Sequence, residues 1–466
     1  MSSPSVRSWA DASTVPFWLD RADAPAPAEP LAGDTHTALV IVGGGYTGLW
    51  AAIQARELDP GRDVVLLEQD TVGFGASGRN GGFCDSSLTH GLGNGVARFP
   101  EEIQRLERLA AENFEGIRGT VDRFGIDCDW TPSGTMLVAV EPYQVALLRR
   151  AEELYRSFRQ PVRLLDRDEA RAEVDSPTYL GGLWRLDRDA LADPARLAWG
   201  LRRAALELGV RIHEQTAATG MEPEGDGVVV ATSGGRVHAR RAILATNAFP
   251  PLARSIRRYV VPVYDYVLMT EPLTPSQMDA IGWRQRQGLA DAGNRFHYYR
   301  LSADDRILWG GYDAIYHYGN RVAPELEDRP ETFDLLASHF FRTFPQLEGI
   351  RFTHRWAGAI DTCSRFCVMW GTALGGRASY AVGYTGLGVG SARFGARVAL
   401  DLIGGVETDL TKLRFVRSKP TAFPPEPLRY AGIQLTRRAI ARADAHEGRR
   451  GPWLKLIDAM GLGFDS

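Results

Sequence analysis

The sequence predicts a mixed α/β fold, α+β overall, in which a parallel sheet flanked by helices is joined to a second part built on an antiparallel sheet. Three observations predict it. A short apolar run at Ala38–Val42 leads through a glycine-broken turn into a helical stretch from about Tyr46 to Leu58. A second apolar run follows at Val64–Leu67, and the whole has the size of one buried strand–helix–strand unit. Between 255 and 312 the runs YVVPVYDYVLMT, RFHYYRL and RILWGGY follow one another with strand rather than helix patterning. Strand and helix patterns return at 376–383 and 387–403, so the parallel part is discontinuous in sequence.

Bulk properties bound the function. A chain of 466 residues with 44% hydrophobic content buries a large core and suggests two or three domains. The formal charge of −3 gives no basic field, which excludes nucleic acid as an expected partner. Lysine occurs only at 412, 419 and 455. Cys84, Cys128, Cys363 and Cys367 give no disulfide framework, and the last two have no second ligand pair nearby, so no metal site is expected. The start MSSPSVRSWADAS has no apolar secretory core. The stretch Ala38–Ala55 is apolar enough to resemble a membrane span, but Gly43-Gly44-Gly45 at its centre breaks it, so no transmembrane segment and a cytoplasmic location are expected.

Residues 1–35 read as an N-terminal arm, pinned by Trp9, Phe17 and Trp18 and ending in an Ala/Pro-rich lead-in. Stretches 101–126 and 142–158 read as amphipathic helices. Asp193-Pro194 reads as an N-cap with proline at the first helical position, opening a helix that runs to about Leu208. Val228–Thr232, Arg236–Ala239 and Ala242–Thr246 read as strands. The expected division places the nucleotide part in 36–86, 176–254 and 355–410 and the substrate part in 87–175 and 255–354. Residues 411–466 carry arginine pairs and an apolar end; a helical cap is expected, with an oligomer contact or a membrane-surface helix as alternatives.

Gly43, Gly45 and Gly48 form a G-x-G-x-x-G directly after a strand and, with Tyr46 and Thr47, open a helix. The first glycine permits the tight turn, the second lets a pyrophosphate approach the backbone, and the third lets helix pack on strand. Free N–H groups and the partial positive charge of the helix start suit phosphates. Glu68, followed by Gln69, lies twenty residues beyond Gly48 at the end of the second strand, where a carboxylate binds ribose hydroxyls. The pattern is that of a Rossmann-like dinucleotide-binding unit.

Further segments carry a resemblance. Residues 73–83 read GFGASGRNGGF, 381–390 read AVGYTGLGVG before a helix, 241–248 read RAILATNA, and 355–358 read RWAG. Together with the glycine motif, over roughly residues 36 to 408, these resemble the D-amino-acid oxidase/glycine oxidase superfamily of FAD-dependent flavoproteins, and within it the gamma-glutamylputrescine oxidase-like branch. The resemblance implies FAD as cofactor. The small residues Gly75, Ala76, Gly81 and Gly82 let backbone pass close to pyrophosphate and flavin ring, and the Ser77 hydroxyl and Arg79, followed by Asn80, answer phosphate charge. By the same resemblance Ala218 offers its backbone to adenine, and Thr246 and Asn247 close over the nucleotide. Trp356 packs near the flavin, and the turn Tyr384-Thr385-Gly386-Leu387-Gly388 aims a helix start at the ring edge where charge gathers on reduction. Some superfamily members attach FAD through a cysteine at a position matched here by Ala359, so the flavin is expected to be non-covalent.

The substrate of the superfamily lies between the flavin and the antiparallel sheet, where Tyr264, Tyr266, His297, Tyr298, Tyr299 and Arg300 are candidates. Arg300 is chosen to pair a carboxylate, with His297 and Tyr266 as further catalytic candidates. The reaction implied is oxidation of a C–N bond in an amine or amino acid to an imine, with hydride passing to flavin N5 and oxygen as acceptor. The alternatives are a D-amino-acid dehydrogenase with another acceptor and a non-catalytic flavin-binding scaffold. Sarcosine-oxidase-like relatives hold a lysine beside the flavin for reaction with oxygen; the matching position here is about Trp309, leaving Arg300 or His297 as substitute charges.

Overall fold

The computed structural model describes residues 8–405 and 407–462. Two large sheets organise it. The first has the order Met369–Ala373, Ala378–Val382, Arg236–Leu244, Thr35–Val42, Val64–Leu67, Arg211–His213, and its last five strands run parallel. Val64–Leu67 is buried at every position, with Val64 and Leu66 packed on the helices and Val65 and Leu67 on the opposite face with Val228 and Val230. The expected strands Arg236–Ala239 and Ala242–Thr246 are one continuous strand, Arg236–Leu244. Two charged residues at 240–241 interrupt its apolar pattern because Arg240 and Arg241 lie at its less buried positions. Ala218–Glu224 and Gly227–Thr232 extend this sheet as an antiparallel flap.

The second sheet has the order Ile315–Tyr316, Val261–Thr270, Ile307–Gly311, His297–Leu301, Gly288–Asp291, Thr135–Ala139, Gly181–Arg185, Val162–Leu165, with Phe352–Thr362 also paired to Val261–Thr270. All of these pairings are antiparallel except that of Gly288–Asp291 with Thr135–Ala139. This corrects two of the expected boundaries. Gly181–Arg185 and residues 355–362 of strand Phe352–Thr362, expected in the nucleotide part, hydrogen-bond into the antiparallel sheet, because a strand belongs to whichever ladder completes its backbone pairing.

Helices Ile103–Arg123 and Pro142–Ser157 form where amphipathic spacing places them. Helix Pro194–Glu207 is capped by Asp193, whose carboxylate accepts from Arg196 N at 3.0 Å. The arm is pinned as expected: Trp9 donates to Asp334 Oδ1 at 2.9 Å, and Trp18 is buried. The C-terminal stretch forms helices Leu428–Asp444 and Pro452–Ala459. No helix among the described residues is long and apolar enough to cross a membrane.

The turn after the first strand is set by backbone crowding. Gly43 has φ +112°, and a Cβ there would lie 2.4 Å from the Ala245 carbonyl oxygen. A Cβ on Gly48 would lie 1.9 Å from the Gly43 carbonyl oxygen. Helix Tyr46–Leu58 therefore sits against its own entry turn at a distance that only glycine allows. Gly48→Ala is expected to destabilise the fold by roughly 3 kcal/mol or more, since the clash is with backbone that cannot repack; urea unfolding of the two proteins checks it.

Candidate functional site

The glycine-rich elements meet at the C-terminal ends of the parallel strands. The first-turn Thr47 hydroxyl donates to the Tyr384 hydroxyl at 2.9 Å, and Tyr46 N donates to Ser77 Oγ at 2.9 Å. Residues from three distant segments are thus held in one place. Asn80 braces the 73–83 loop: its amide donates to Ala76 O and Ser77 O at 2.9 and 3.0 Å, and its Oδ1 accepts from Gly82 N at 2.7 Å. Glu68 Oε2 accepts from Gly44 N at 2.6 Å, so the carboxylate stands directly over the glycine turn; burial raises its pKa. Gln69 is exposed beyond it. The segment leading to Ala218 runs beside Glu68, with Thr216 N donating to the Glu68 main-chain carbonyl at 2.7 Å.

A buried carboxylate that sequence reading missed builds the second turn. Asp361, 3% exposed, accepts from Gly383 N at 2.6 Å and Tyr384 N at 3.1 Å. Burial pushes its pKa up to about 7 against the pull of these N–H donors. Thr385 and Gly386 have φ of +54° and +93°, and the turn they make delivers Leu387 and Gly388 to the start of helix Gly388–Ile403. In neither this helix nor Tyr46–Leu58 does the N-cap residue's own side chain cap the start, which leaves first-turn backbone N–H groups other than that of Tyr46 for a ligand. The only sequence signal for Asp361 is an aspartate shortly before a glycine-rich turn, and its contact is 22 residues away.

Two groups at this place lack protein partners. Thr246 Oγ1 and Asn247 Oδ1 are buried without a hydrogen bond, and Asn247 has φ +49°. Buried polar atoms without partners are costly, and a bound dinucleotide would supply them. A Cβ on Gly45 would lie 2.9 Å from Ser77 Oγ, so the space between these elements admits backbone and ligand but little else. These features fit FAD.

Three expected roles are corrected. Arg79 is not turned toward the glycine turns; it pairs with Glu327 at 2.9 Å and donates to Phe74 O and Ala357 O at 3.0 and 3.1 Å, because its short helix slides it under Phe352–Thr362. Arg300 is 1% exposed and donates to Ala192 O at 2.7 Å and Leu301 O at 3.1 Å, lies 3.5 Å from Asp129, and sits over the Trp18 ring. Burial pulls its pKa down to about 10. Its fork is committed to backbone carbonyls and Asp129 rather than open to a substrate carboxylate.

The third correction concerns strand parity. His297 and Tyr266 lie on the sheet face covered by helix Pro330–Thr343, with Tyr264, Tyr299 and Trp309. His297 Nδ1 is 2.6 Å from Asp291 Oδ2 and its Nε2 is 3.0 Å from His339 Nδ1; Tyr266 donates to Leu326 O at 2.7 Å. The opposite face carries Asp265, Val267, Tyr298, Arg300, Leu308, Trp356 and Gly358, and this is the face that meets the glycine loop. Trp356 Nε1 donates to Arg79 O at 2.9 Å, and a Cβ on Gly81 would lie 2.7 Å from the Tyr298 ring.

A chain with this parallel nucleotide-binding unit, a second glycine turn at the same sheet edge and an antiparallel sheet over both is a flavin-binding oxidoreductase. It belongs to the FAD dependent oxidoreductase family, whose profile matches residues 38–402. It is 32% identical over 400 residues to gamma-glutamylputrescine oxidoreductase of Escherichia coli (strain K12), covering 84% of this chain and 89% of that one. Among solved structures, glycine oxidase from Geobacillus kaustophilus aligns with TM-score 0.66 at 20% identity, covering 82% of this chain and 98% of that one. L-proline dehydrogenase from P. horikoshii aligns with TM-score 0.66 at 19% identity, covering 82% and 96%. The chain is an enzyme, an oxidoreductase with FAD as cofactor.

Asp361→Asn places an NH2 group against N–H donors. FAD retained per protein after desalting is expected to fall about tenfold or more, from loss of one charge-assisted bond of about 1.5–3 kcal/mol. Glu68→Ala is expected to weaken FAD binding less than Gly45→Val, whose side chain fills the ligand space.

Proposed function

We propose that this protein oxidises a C–N bond of an amine or amino acid to the imine, in the cytoplasm, with non-covalent FAD and with oxygen as a slow electron acceptor. The observation that carries this reading is the sheet face bearing Asp265, Tyr298 and Trp356, which lies directly against the 79–83 loop. FAD, when bound, supplies the redox chemistry by taking a hydride from the carbon next to nitrogen. The chain's own residues do the rest. Glu68, the glycine turn, Thr246 and Asn247 hold the nucleotide, and Asp361 shapes the turn from which helix Gly388–Ile403 starts, whose N–H groups favour negative charge on the reduced ring. Ala359 stands on the strand where an attachment cysteine would be, and the Cys363 thiol is turned to the Gly383 and Cys367 carbonyls, which supports a non-covalent flavin.

The second reading, a dehydrogenase passing electrons to another acceptor, is favoured by one observation. Trp309, at the position matched to a lysine in sarcosine-oxidase-like relatives, is stacked on His297 behind the sheet, and the only lysines are at 412, 419 and 455. The fold is shared by a glycine oxidase and an L-proline dehydrogenase, so it serves both reactions.

Acid or heat denaturation of the yellow protein is expected to release intact FAD into the supernatant; flavin remaining with the precipitate would show a covalent link. In the absence of oxygen, at least one member of a panel of polyamines, gamma-glutamyl amines, N-methyl amino acids and D-amino acids is expected to bleach the flavin. A panel without any effect would remove the amine reading. Stopped-flow mixing with oxygen is expected to give slower reoxidation than lysine-bearing relatives.

A further inference from the structure

The sheet face toward the glycine loop is almost entirely closed. On Val261–Thr270 the positions that keep partial exposure are Val263 and Asp265, and on His297–Leu301 only Tyr298 does. The Tyr298 hydroxyl donates to Asp265 Oδ2 at 2.5 Å. The neighbours of this pair in the register are Gly358, beside Asp265, and Gly310, beside Tyr298; neither adds a side chain. The Tyr298 ring rests on Gly310 and meets Phe83 edge-on at 5.8 Å, next to Gly81. A carboxylate and a phenol are therefore presented together where the substrate sheet meets the cofactor loop.

Charge decides what that place accepts. The groups that face Asp265 are Tyr298, the backbone N–H groups of Tyr266 and Gly311, and Asp313. Asp313 is paired with Arg437 at 2.8 Å. Arg79, which reaches this face beneath Gly358, is paired with Glu327, and Arg300 is held by Ala192 O and Asp129. Both arginines that reach this face among the described residues thus already have a partner, and Asp265 has no cation paired with it. An α-amino acid brings a carboxylate with its ammonium group and would find no cation to receive it, whereas a simple alkylammonium ion complements the site.

Resting on the amine-oxidation reading above, we propose that Asp265, seconded by Tyr298, anchors the substrate's ammonium group and takes its proton, so that the preferred substrates are amines without a carboxylate on the reacting carbon. In this step one N–H bond breaks and one O–H bond forms. The ammonium ion becomes the neutral amine and the carboxylate becomes the acid, leaving on nitrogen the lone pair that C–H cleavage at the adjacent carbon requires. Burial raises the Asp265 pKa to about 6, which brings it toward the working range of a general base.

The test uses the FAD-loaded protein and tert-butylamine, which has no hydrogen on the carbon next to nitrogen and so binds without being oxidised. Pivalate, its carboxylate counterpart in shape, is the control. By calorimetry, wild type is expected to bind tert-butylammonium at least about tenfold more tightly than pivalate, and Asp265→Asn to lose about tenfold or more of that affinity while retaining FAD. Wild-type affinity for the amine is expected to fall as pH drops through about 6, because protonation removes the Asp265 charge, and Asp265→Asn is expected to be flat there. Tyr298→Phe removes a bond that stabilises the carboxylate, so the midpoint of this fall is expected to move to higher pH. This variant carries the test if Asp265→Asn loses its flavin. Equal binding of the two probes, no binding of the amine, unchanged amine affinity in Asp265→Asn, or an unmoved midpoint in Tyr298→Phe would overturn the proposal. Flavin bleaching by amines together with any of these results would leave the amine reading standing and remove only Asp265.

Discussion

The arrangement depends on one constraint: two glycine-rich turns, 337 residues apart at Thr47 and Tyr384, must occupy one place. The hydroxyl contact between them is a single hydrogen bond, worth about 1 kcal/mol net by itself. What makes it hold is the backbone packing around it. Helix Gly388–Ile403 lies so close to strand Phe83–Asp85 that a Cβ on Gly390 would stand 1.7 Å from the Asp85 carbonyl oxygen. Asn113, from helix Ile103–Arg123, donates to the Gly390 carbonyl at 2.5 Å. Asp361 then fixes the turn from below through N–H groups that point inward. A buried carboxylate with several backbone donors is stable only while those donors stay in position, so the turn and the carboxylate enforce each other.

The second sheet divides its work between its faces. The face under helix Pro330–Thr343 is an aromatic cluster in which Trp309 touches Tyr299 at 4.5 Å and Phe340 at 5.7 Å between ring centroids. The network Tyr179–Tyr299–Asp291–His297–His339 is threaded through it. Burial, reinforced by the neighbouring His297, pulls the His339 pKa down to about 3, which keeps that ring neutral within the apolar layer. The other face is thinner, with glycine at 310 and 358, and the cofactor loop approaches there. Packing strength and chemical access are thereby separated by the thickness of one sheet.

The C-terminal helix Leu428–Asp444 closes the edge of this sheet. Arg437 pairs with Asp313, Asp444 accepts from Asn294 and Arg295, and Glu426 accepts from Tyr316. These pairs are partly exposed and each contributes little by itself. Their effect is local: by engaging Asp313, Arg437 offsets a second negative charge near Asp265.

The nucleotide unit was readable from sequence because its determinants are local. A buried parallel strand, a glycine turn and a helix start depend on neighbours within a few residues, and Gly43, Gly48 and Asp193 do in the structure what their positions in the chain imply. The substrate side was not readable in the same way. His297, Tyr298, Tyr299 and Arg300 are consecutive and chemically rich, and sequence alone does not say which of them face the cofactor loop. Because side chains alternate along a strand, one choice of face sends His297 and Tyr299 to the helix and Tyr298 and Arg300 to the loop. That choice is made by which face finds an apolar partner, a property of the assembled layers. The same holds for charge: Arg79 and Arg300 looked free in sequence, and only the folded chain brought Glu327, Asp129 and backbone carbonyls to them. Local spacing thus determined where the cofactor is held, and tertiary packing decided which side chains are left to meet the substrate.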